Sequence, residues 1–376
     1  MHILLTLILL LITTPLSAAP ALIPSAPKVS ASSYYLMDFH SGHVIAEFNA
    51  DERVEPASLT KMMSAYIVEQ EILQGRLDLS DQVRISEKAW RMEGSRMFVE
   101  VGKFVTVEKL LKGVIIQSGN DATVALAEHI AGSESAFAEL MNAHAQRLGM
   151  NNTHFVNSTG MPAPNHYTTA HDMAILGQAL IRDGQEFYSW YAEKSYEYNG
   201  ISQYNRNKLL WRSKYVDGIK TGHTEAAGYC LVASGEQNGM RLISVVMGTK
   251  SENARADESQ KLLTYGFRFF ETHKLYTAQQ SLQQVRIWKG ESDQLPVGLA
   301  DDLYITIPQG QYNNLQATMQ INGKIMAPQQ QNASVGRVVV KLQDNVVAER
   351  PLLALESVAE AGVVKSLIDQ VKLMFE

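Results

Sequence analysis

Ser58 and Lys61, three residues apart in Pro56-Ala57-Ser58-Leu59-Thr60-Lys61-Met62-Met63, are the pair in this chain best equipped for covalent chemistry. On a helix that spacing is close to one turn, so both side chains point to the same side and the amine reaches the hydroxyl. A solvated lysine titrates near ~10.4 and has no lone pair at neutral pH with which to take a proton. Burial in an apolar bundle, with a second cation nearby, lowers that value and turns the pair into a nucleophile and its base. The sequence provides such burial. Leu59, Met62, Met63, Tyr66 and Ile67 follow helical spacing, while Ala65 and Val68 make the opposite side apolar as well. Ser58 falls in the first turn, where free backbone N–H groups favour a developing oxyanion. Taken alone, a serine near a helix start is more often a cap than a nucleophile.

Two further clusters carry suitable groups. Gln117-Ser118-Gly119-Asn120-Asp121 falls between two helical patterns, so Ser118 and Asn120 are held by rigid neighbours on both sides. Lys220-Thr221-Gly222-His223 lies on a strand ahead of a hairpin. There Lys220 can hold a carboxylate and depress the pKa of Lys61, and Gly222 allows a substrate backbone to approach the strand edge. Arg255 stands early in the helix that follows. The histidines His129, His144, His154, His166 and His171 show no metal-ligand spacing, and no metal site is expected.

The elements that must position these groups are legible in outline. Residues 1–19 read as a secretory signal peptide, with an aliphatic run from Ile3 to Leu11 followed by small residues. In an exported chain the single cysteine, Cys230, cannot form an internal disulfide, and its alternating apolar surroundings suit a buried small hydrophobe. A net charge of −6 with interspersed signs gives no nucleic-acid surface. Ser33 to Met37 and His43 to Phe48 read as strands, and the region from Gln82 to Val101 as a long ordered loop near the site. Thr106 caps a helix containing Leu110, Leu111, Val114 and Ile115. Ser133 to Leu148 and Thr169 to Ile181 are amphipathic helices, with Phe137, Leu140 and Met141 among the core positions of the first. A long hairpin turned at Gln237-Asn238-Gly239 follows, and then a helix with Leu262, Leu263, Phe267 and Phe270 on its core face. Past Thr277 the texture changes to short alternating runs with a hairpin signal at Asn322-Gly323. The last segment returns to helical period, with Val363, Val364, Leu367, Ile368, Val371, Met374 and Phe375 on one face. It can lie in a membrane surface or dock on the β domain.

S-x-x-K, S-x-N and K-T-G in that order form the combination found in penicillin-binding proteins and class A β-lactamases. The chain resembles the serine D-alanyl-D-alanine carboxypeptidases, low-molecular-mass penicillin-binding proteins of the S11 peptidase type, over its whole length. The resemblance implies an α+β fold: a β-lactamase/transpeptidase-like domain with a five-stranded antiparallel sheet flanked by helices, at 28–277. A small all-β domain at 278–355 and an amphipathic helix at 358–376 follow. It implies that Ser58 is acylated, Lys61 is its base, Ser118 relays protons and Asn120 binds the substrate amide. Lys220, Thr221 and Arg255 meet the terminal carboxylate, and the N–H groups of Ser58 and His223 form the oxyanion hole. The expected substrates are peptidoglycan stem peptides ending in D-Ala-D-Ala, with β-lactams as inhibitors and no metal or organic cofactor. The expected location is the periplasmic face of the bacterial cytoplasmic membrane, with peripheral anchoring through the C-terminal helix. A D,D-endopeptidase on the same scaffold, a class A-like β-lactamase and a non-catalytic wall-binding or β-lactam-sensing module remain alternatives.

Overall fold

The structure, a computed structural model, describes residues 23–375; the expected leader lies outside the described residues. The larger, N-terminal portion opens with strands β1 (Ser33–Asp38) and β2 (Val44–Phe48). A helical block follows: α1 (Thr60–Leu73), α2 (Val107–Lys112), α3 (Asn120–Ala131), α4 (Glu134–Leu148) and α5 (Ala170–Asp183). Strands β3 (Val216–Thr224), β4 (Gly228–Gln237) and β5 (Met240–Thr249) and helix α6 (Glu252–Phe269) complete it. The five strands form one antiparallel sheet in the order β2-β1-β5-β4-β3, so the first strand of the chain pairs with the last strand of the sheet.

Strand alternation decides what each sheet face meets. Tyr35, Met37, Ile243, Val245 and Met247 join the core made with α1 and α5. Leu36, Leu242 and Val246 point the other way, into the core made with Leu262 and Leu263 of α6. Cys230 is buried on the helical side, and burial pushes its thiol up to about 11, so it is an inert core residue. Helix α1 is sheathed on nearly every side. Met62, Met63 and Ile67 are all 0% exposed, and each such burial is worth roughly 1.5–3 kcal/mol. The hydroxyls of Thr106, Ser133, Thr169 and Ser251 accept backbone N–H groups at the starts of α2, α4, α5 and α6.

Several local expectations are corrected. Leu140 is exposed, because the core side of α4 runs through Phe137, Met141 and Ala145 instead. The region from Gln82 to Val101 is not all loop. Gln82–Arg84 pairs with Phe104–Thr106, and Glu87–Trp90 forms a helical turn capped by Ser86. Phe270 is buried from a strand, Phe270–Tyr276, rather than from the face of α6. That strand pairs with Leu303–Pro308, so the β unit begins ahead of residue 278. Asn322-Gly323 forms a turn without a hairpin: the strand before it, Leu315–Ile321, pairs with Ser334–Leu342, while Ile325–Met326 pairs in parallel with Gln283–Trp288.

The β unit adds a six-stranded sheet to that two-stranded one. It meets the N-terminal portion through polar and ring contacts: Thr272 Oγ1 donates to Asp38 Oδ2 at 2.7 Å, and His40 stacks on Tyr304 at 4.5 Å. The final helix, α7 (Val363–Leu373), is fastened by its polar side. Asp369, 1% exposed, accepts from Arg286 at 3.0 Å and from the Lys289 N–H at 2.8 Å.

Candidate active site

Ser58 lies in a 3-10 turn, Ala57–Leu59, that runs directly into α1. Ala57 has φ +47, a left-handed conformation that a non-glycine residue holds only when its surroundings enforce it. Two glycines supply that enforcement. A Cβ at Gly160 would collide with the Ala57 carbonyl, and one at Gly222 would sit 3.1 Å from Pro56 O and 3.3 Å from Ala57 Cβ. Gly222 was expected to admit a substrate backbone. The space it leaves is filled by the serine turn of this same chain, and the glycine brings β3 alongside Ser58.

Lys61 is 1% exposed, and its Nζ lies 3.3 Å from Ser58 Oγ and 2.6 Å from the carbonyl oxygen of Thr159. Burial, and then the nearby Arg206 guanidinium, lower its pKa to about 7, while Asp121 and Glu134 pull in the opposite direction. A shift from 10.5 to about 7 corresponds to roughly 5 kcal/mol of disfavoured charge. In the neutral form one N–H points to Thr159 and the lone pair is left for the Ser58 proton. The expected second cation is therefore Arg206 rather than Lys220. Lys220 is itself driven well below the usual lysine range, first by burial and then by Lys61, Arg206 and Arg255.

Ser118 ends a π-helical turn, Gly113–Gln117, in left-handed conformation (φ 61, ψ 35), which aims its hydroxyl into the cleft. Lys220 Nζ donates to Ser118 Oγ at 2.8 Å and to the Thr221 carbonyl at 3.3 Å. Asn120 opens α3; its Nδ2 donates to the Glu93 carbonyl at 2.6 Å, and its N–H donates to Ser95 O at 2.7 Å. Asp121, next in the chain, accepts from the N–H groups of Met97, Phe98 and Val99 at 2.8, 2.7 and 3.2 Å. One carboxylate thus fixes the rim loop to the start of α3.

These groups open onto a polar cleft of about 320 Å³. Ser58, Ser118, Thr221, Gly222 and His223 line it together with Gly94 and Ser95 on one wall and Arg206, Tyr229, Glu252 and Arg255 on the other. The His223 ring stacks on Tyr229 at 4.0 Å. Arg255 is 3% exposed and directs its guanidinium to the carbonyls of Gly222 and Arg206, at 3.2 and 3.4 Å. The structure therefore gathers every residue singled out from the sequence: Ser58, Lys61, Ser118, Asn120, Lys220, Thr221, Gly222, His223 and Arg255. Among the described residues no group of His, Cys, Asp and Glu side chains is arranged to hold a metal ion.

Sequence reasoning missed four contributors: Asp121, Thr159, Gly160 and Arg206. Thr159 acts through its backbone, which no side-chain pattern reports. The run Asn157-Ser158-Thr159-Gly160 does carry a turn signal, and Asn157 Oδ1 accepts the N–H groups of Thr159 and Gly160 at 3.1 and 2.7 Å. Arg206 sits between Asn205 and Asn207 in a connection with no periodicity to mark it.

A serine beside a buried lysine whose pKa is lowered to about 7, with a second lysine–serine pair across the cleft, defines an acyl-transferring serine enzyme. The comparisons agree. Residues 21–251 match the family model described as D-alanyl-D-alanine carboxypeptidase, and residues 270–360 match the C-terminal domain of penicillin-binding protein 5. The D-alanyl-D-alanine carboxypeptidase DacA of Escherichia coli K12 is 46% identical over 362 residues, covering 94% of this chain and 90% of that protein. DacC of the same organism is 44% identical over 358 residues, covering 93% and 90%. The crystal structure of penicillin-binding protein 5 from Haemophilus influenzae superposes with a TM-score of 0.87 at 42% identity, covering 90% of this chain and all of that one. The chain belongs to the D-alanyl-D-alanine carboxypeptidase family.

Proposed function

We propose that this chain is a serine D,D-carboxypeptidase that removes the terminal D-alanine from peptidoglycan stem peptides through an acyl-enzyme on Ser58. One observation carries the reading: the Lys61 amine, brought to about 7 by burial, stands 3.3 Å from Ser58 Oγ. Neutral Lys61 takes the Ser58 proton as Oγ bonds to the carbonyl carbon between the two D-alanines. The C–N bond then breaks as the carbonyl re-forms; Ser118 gives its proton to the departing amine and takes one from the Lys220 ammonium bonded to it. Water adds to the ester carbonyl and its proton passes through Ser118 to Lys220, while the Lys61 ammonium returns its proton to Ser58 Oγ as the C–O bond breaks. The N–H groups of Ser58 and His223 serve the oxyanion, and Asn120 orients the substrate amide. A β-lactam amide mimics the scissile bond, so a penicillin follows the first half of the same path. Intact-mass spectrometry with a penicillin, alongside measurement of released D-alanine, tests both halves. A protein that gains no mass and releases no D-alanine would overturn the reading.

The terminal carboxylate is assigned to Thr221, Lys220, Arg206 and Arg255. Arg206, Thr221 and Arg255 line the cleft, and Lys220 lies beside Ser118; this group suits a free carboxylate and favours carboxypeptidase over endopeptidase action. An entering carboxylate also restores the charge that the empty cleft disfavours on Lys220. Arg206 is the exposed member, with Arg255 behind it holding its carbonyl. Arg206→Ala is expected to raise KM about tenfold for a peptide with a free terminal carboxylate, a loss of about 1.4 kcal/mol. The same peptide capped as an amide should change by less than about twofold. Equal penalties on the two peptides would take Arg206 out of the carboxylate site.

We further propose that α7 holds the protein at the periplasmic surface of the cytoplasmic membrane. No helix among the described residues is long and apolar enough to cross a bilayer. Support comes from which side of α7 is occupied. Asp369 is pinned to Arg286, and Lys365 pairs with Asp293 at 3.0 Å. Val363, Val364, Leu367, Val371, Met374 and Phe375, meanwhile, are exposed by 55% or more. Docking and membrane contact therefore use opposite sides of one helix. A chain ending at Ala361 is expected to release D-alanine at the native rate and to shift from washed membranes to the soluble fraction. Retention on membranes would place the anchor elsewhere.

A further inference from the structure

Of the histidines without metal-ligand spacing, His166 is the one whose ring lies beside the reacting pair. It is 4% exposed, and both ring nitrogens are engaged. Nδ1 accepts the Val156 N–H at 2.9 Å, which leaves the proton on Nε2, and Nε2 donates to Thr60 Oγ1 at 2.9 Å. Thr60 is the residue between Ser58 and Lys61 on the far side of Leu59, in the first turn of α1. Val156 begins the short segment that ends at Thr159 and Gly160.

That segment carries the one carbonyl that takes a hydrogen from the Lys61 amine, at 2.6 Å. Its middle is tied down separately: Glu134 accepts from the N–H and hydroxyl of Ser158 at 3.1 and 2.8 Å, and Ser64 donates to the Ser158 carbonyl at 2.6 Å. The His166 ring supplies a different constraint, a direct link between the segment and the turn that bears the nucleophile. We propose that His166 is a positioning residue for acyl transfer: its ring clamps Val156 to Thr60 and so sets the Thr159 carbonyl against the Lys61 amine, fixing the direction of the lysine lone pair. The ring stays neutral, because burial and then His154 lower its pKa to about 4, and the Val156 N–H on Nδ1 fixes the tautomer. His166 touches neither the substrate nor the reacting atoms; it acts through Thr60 and Thr159.

The proposal rests on Ser58 and Lys61 being the reacting pair, and the experiment separates the two claims. Pre-steady-state labelling by a fluorescent penicillin gives the affinity of the first complex and the acylation rate constant independently, per mole of titrated active sites. His166→Ala is expected to lower the acylation constant by about tenfold or more, since misplacement of a catalytic group by 1 Å can cost up to about 10²-fold. The affinity of the first complex should stay within about twofold. His166→Asn, whose amide oxygen can replace Nδ1 as acceptor for Val156 but whose side chain is too short to reach Thr60, should restore the Val156 end alone and acylate no faster than Thr60→Val. An acylation constant within twofold of native in either His166→Ala or His166→Asn would overturn the clamp. Should His166→Ala fail to fold, Thr60→Val removes only the other end of the clamp and is expected to slow acylation in the same way; a native constant there overturns the proposal. Ser58→Ala in the same assay reports on the reacting pair alone: labelling of that variant sinks the pair, whereas an unlabelled Ser58→Ala beside a native His166→Ala sinks only the clamp.

Discussion

Ser58→Ala is expected to abolish both covalent capture of a penicillin and release of D-alanine, a fall of at least roughly 10⁴-fold, as removal of a nucleophile from a concerted serine site does. The size follows from the absence of a substitute. Ser58 is the hydroxyl that Lys61 reaches, at 3.3 Å, and Ser118 has its hydroxyl bonded to Lys220 at 2.8 Å. Stability should barely change, because Ser58 is half-buried and Lys61 keeps its bond to Thr159 O when the hydroxyl is gone. A variant that unfolds easily is thus not the expected explanation for lost activity, and a thermal melt run beside the mass spectrum separates the two. A mass adduct that persists in Ser58→Ala and maps to another residue would move the mechanism away from this turn.

The second large effect is expected for Lys61→Arg. Arginine keeps the positive charge but cannot give up its proton at any working pH. If Lys61 only balanced charge, the variant would acylate at nearly the native rate; as the base, its replacement should cost at least about 10²-fold. The pH dependence supplies an independent check. The base form of Lys61 exists above about 7, so native acylation should climb as pH rises through that value and level off beyond it. The arginine variant should show no such limb. A native profile with its rise well above pH 9 would mean that the amine is solvated in the working enzyme and that the serine is activated by another group.

How much of this was legible in the sequence depended on which atoms did the work. Side-chain chemistry at fixed spacing was readable: Ser58 with Lys61, Ser118 with Asn120, and Lys220 with Thr221 all converge on the cleft. The sheet with helices on both faces was implied by the family resemblance, and the strand alternation and helical periods along the chain agreed with it. Contributions made by the backbone left no mark. The Thr159 carbonyl, the left-handed Ala57 and the π-turn ahead of Ser118 depend on contacts between segments far apart in the chain. The glycine of the K-T-G run was read as room for substrate, yet its missing Cβ makes room for Pro56 and Ala57. Leu140 and Asn322-Gly323 failed for a related reason. Local pattern names a face or a turn, and only tertiary packing says what that face or turn is set against.

The pairing of β1 with β5 governs when this enzyme becomes competent. The nucleophile lies in the first sixth of the sequence, but the sheet beside it closes only when residues 240–249 return to cover β1, and Arg255 arrives later still. Contacts of such long separation form late, after the entropy of a large loop has been overcome. An unfinished chain that lacks this burial is expected to leave Lys61 near the ordinary lysine range, so covalent capture by an antibiotic should report on a completed molecule. A chain that ends between Ser58 and β5 lacks the strand that pairs with β1, and its serine is expected to stay unlabelled by a penicillin.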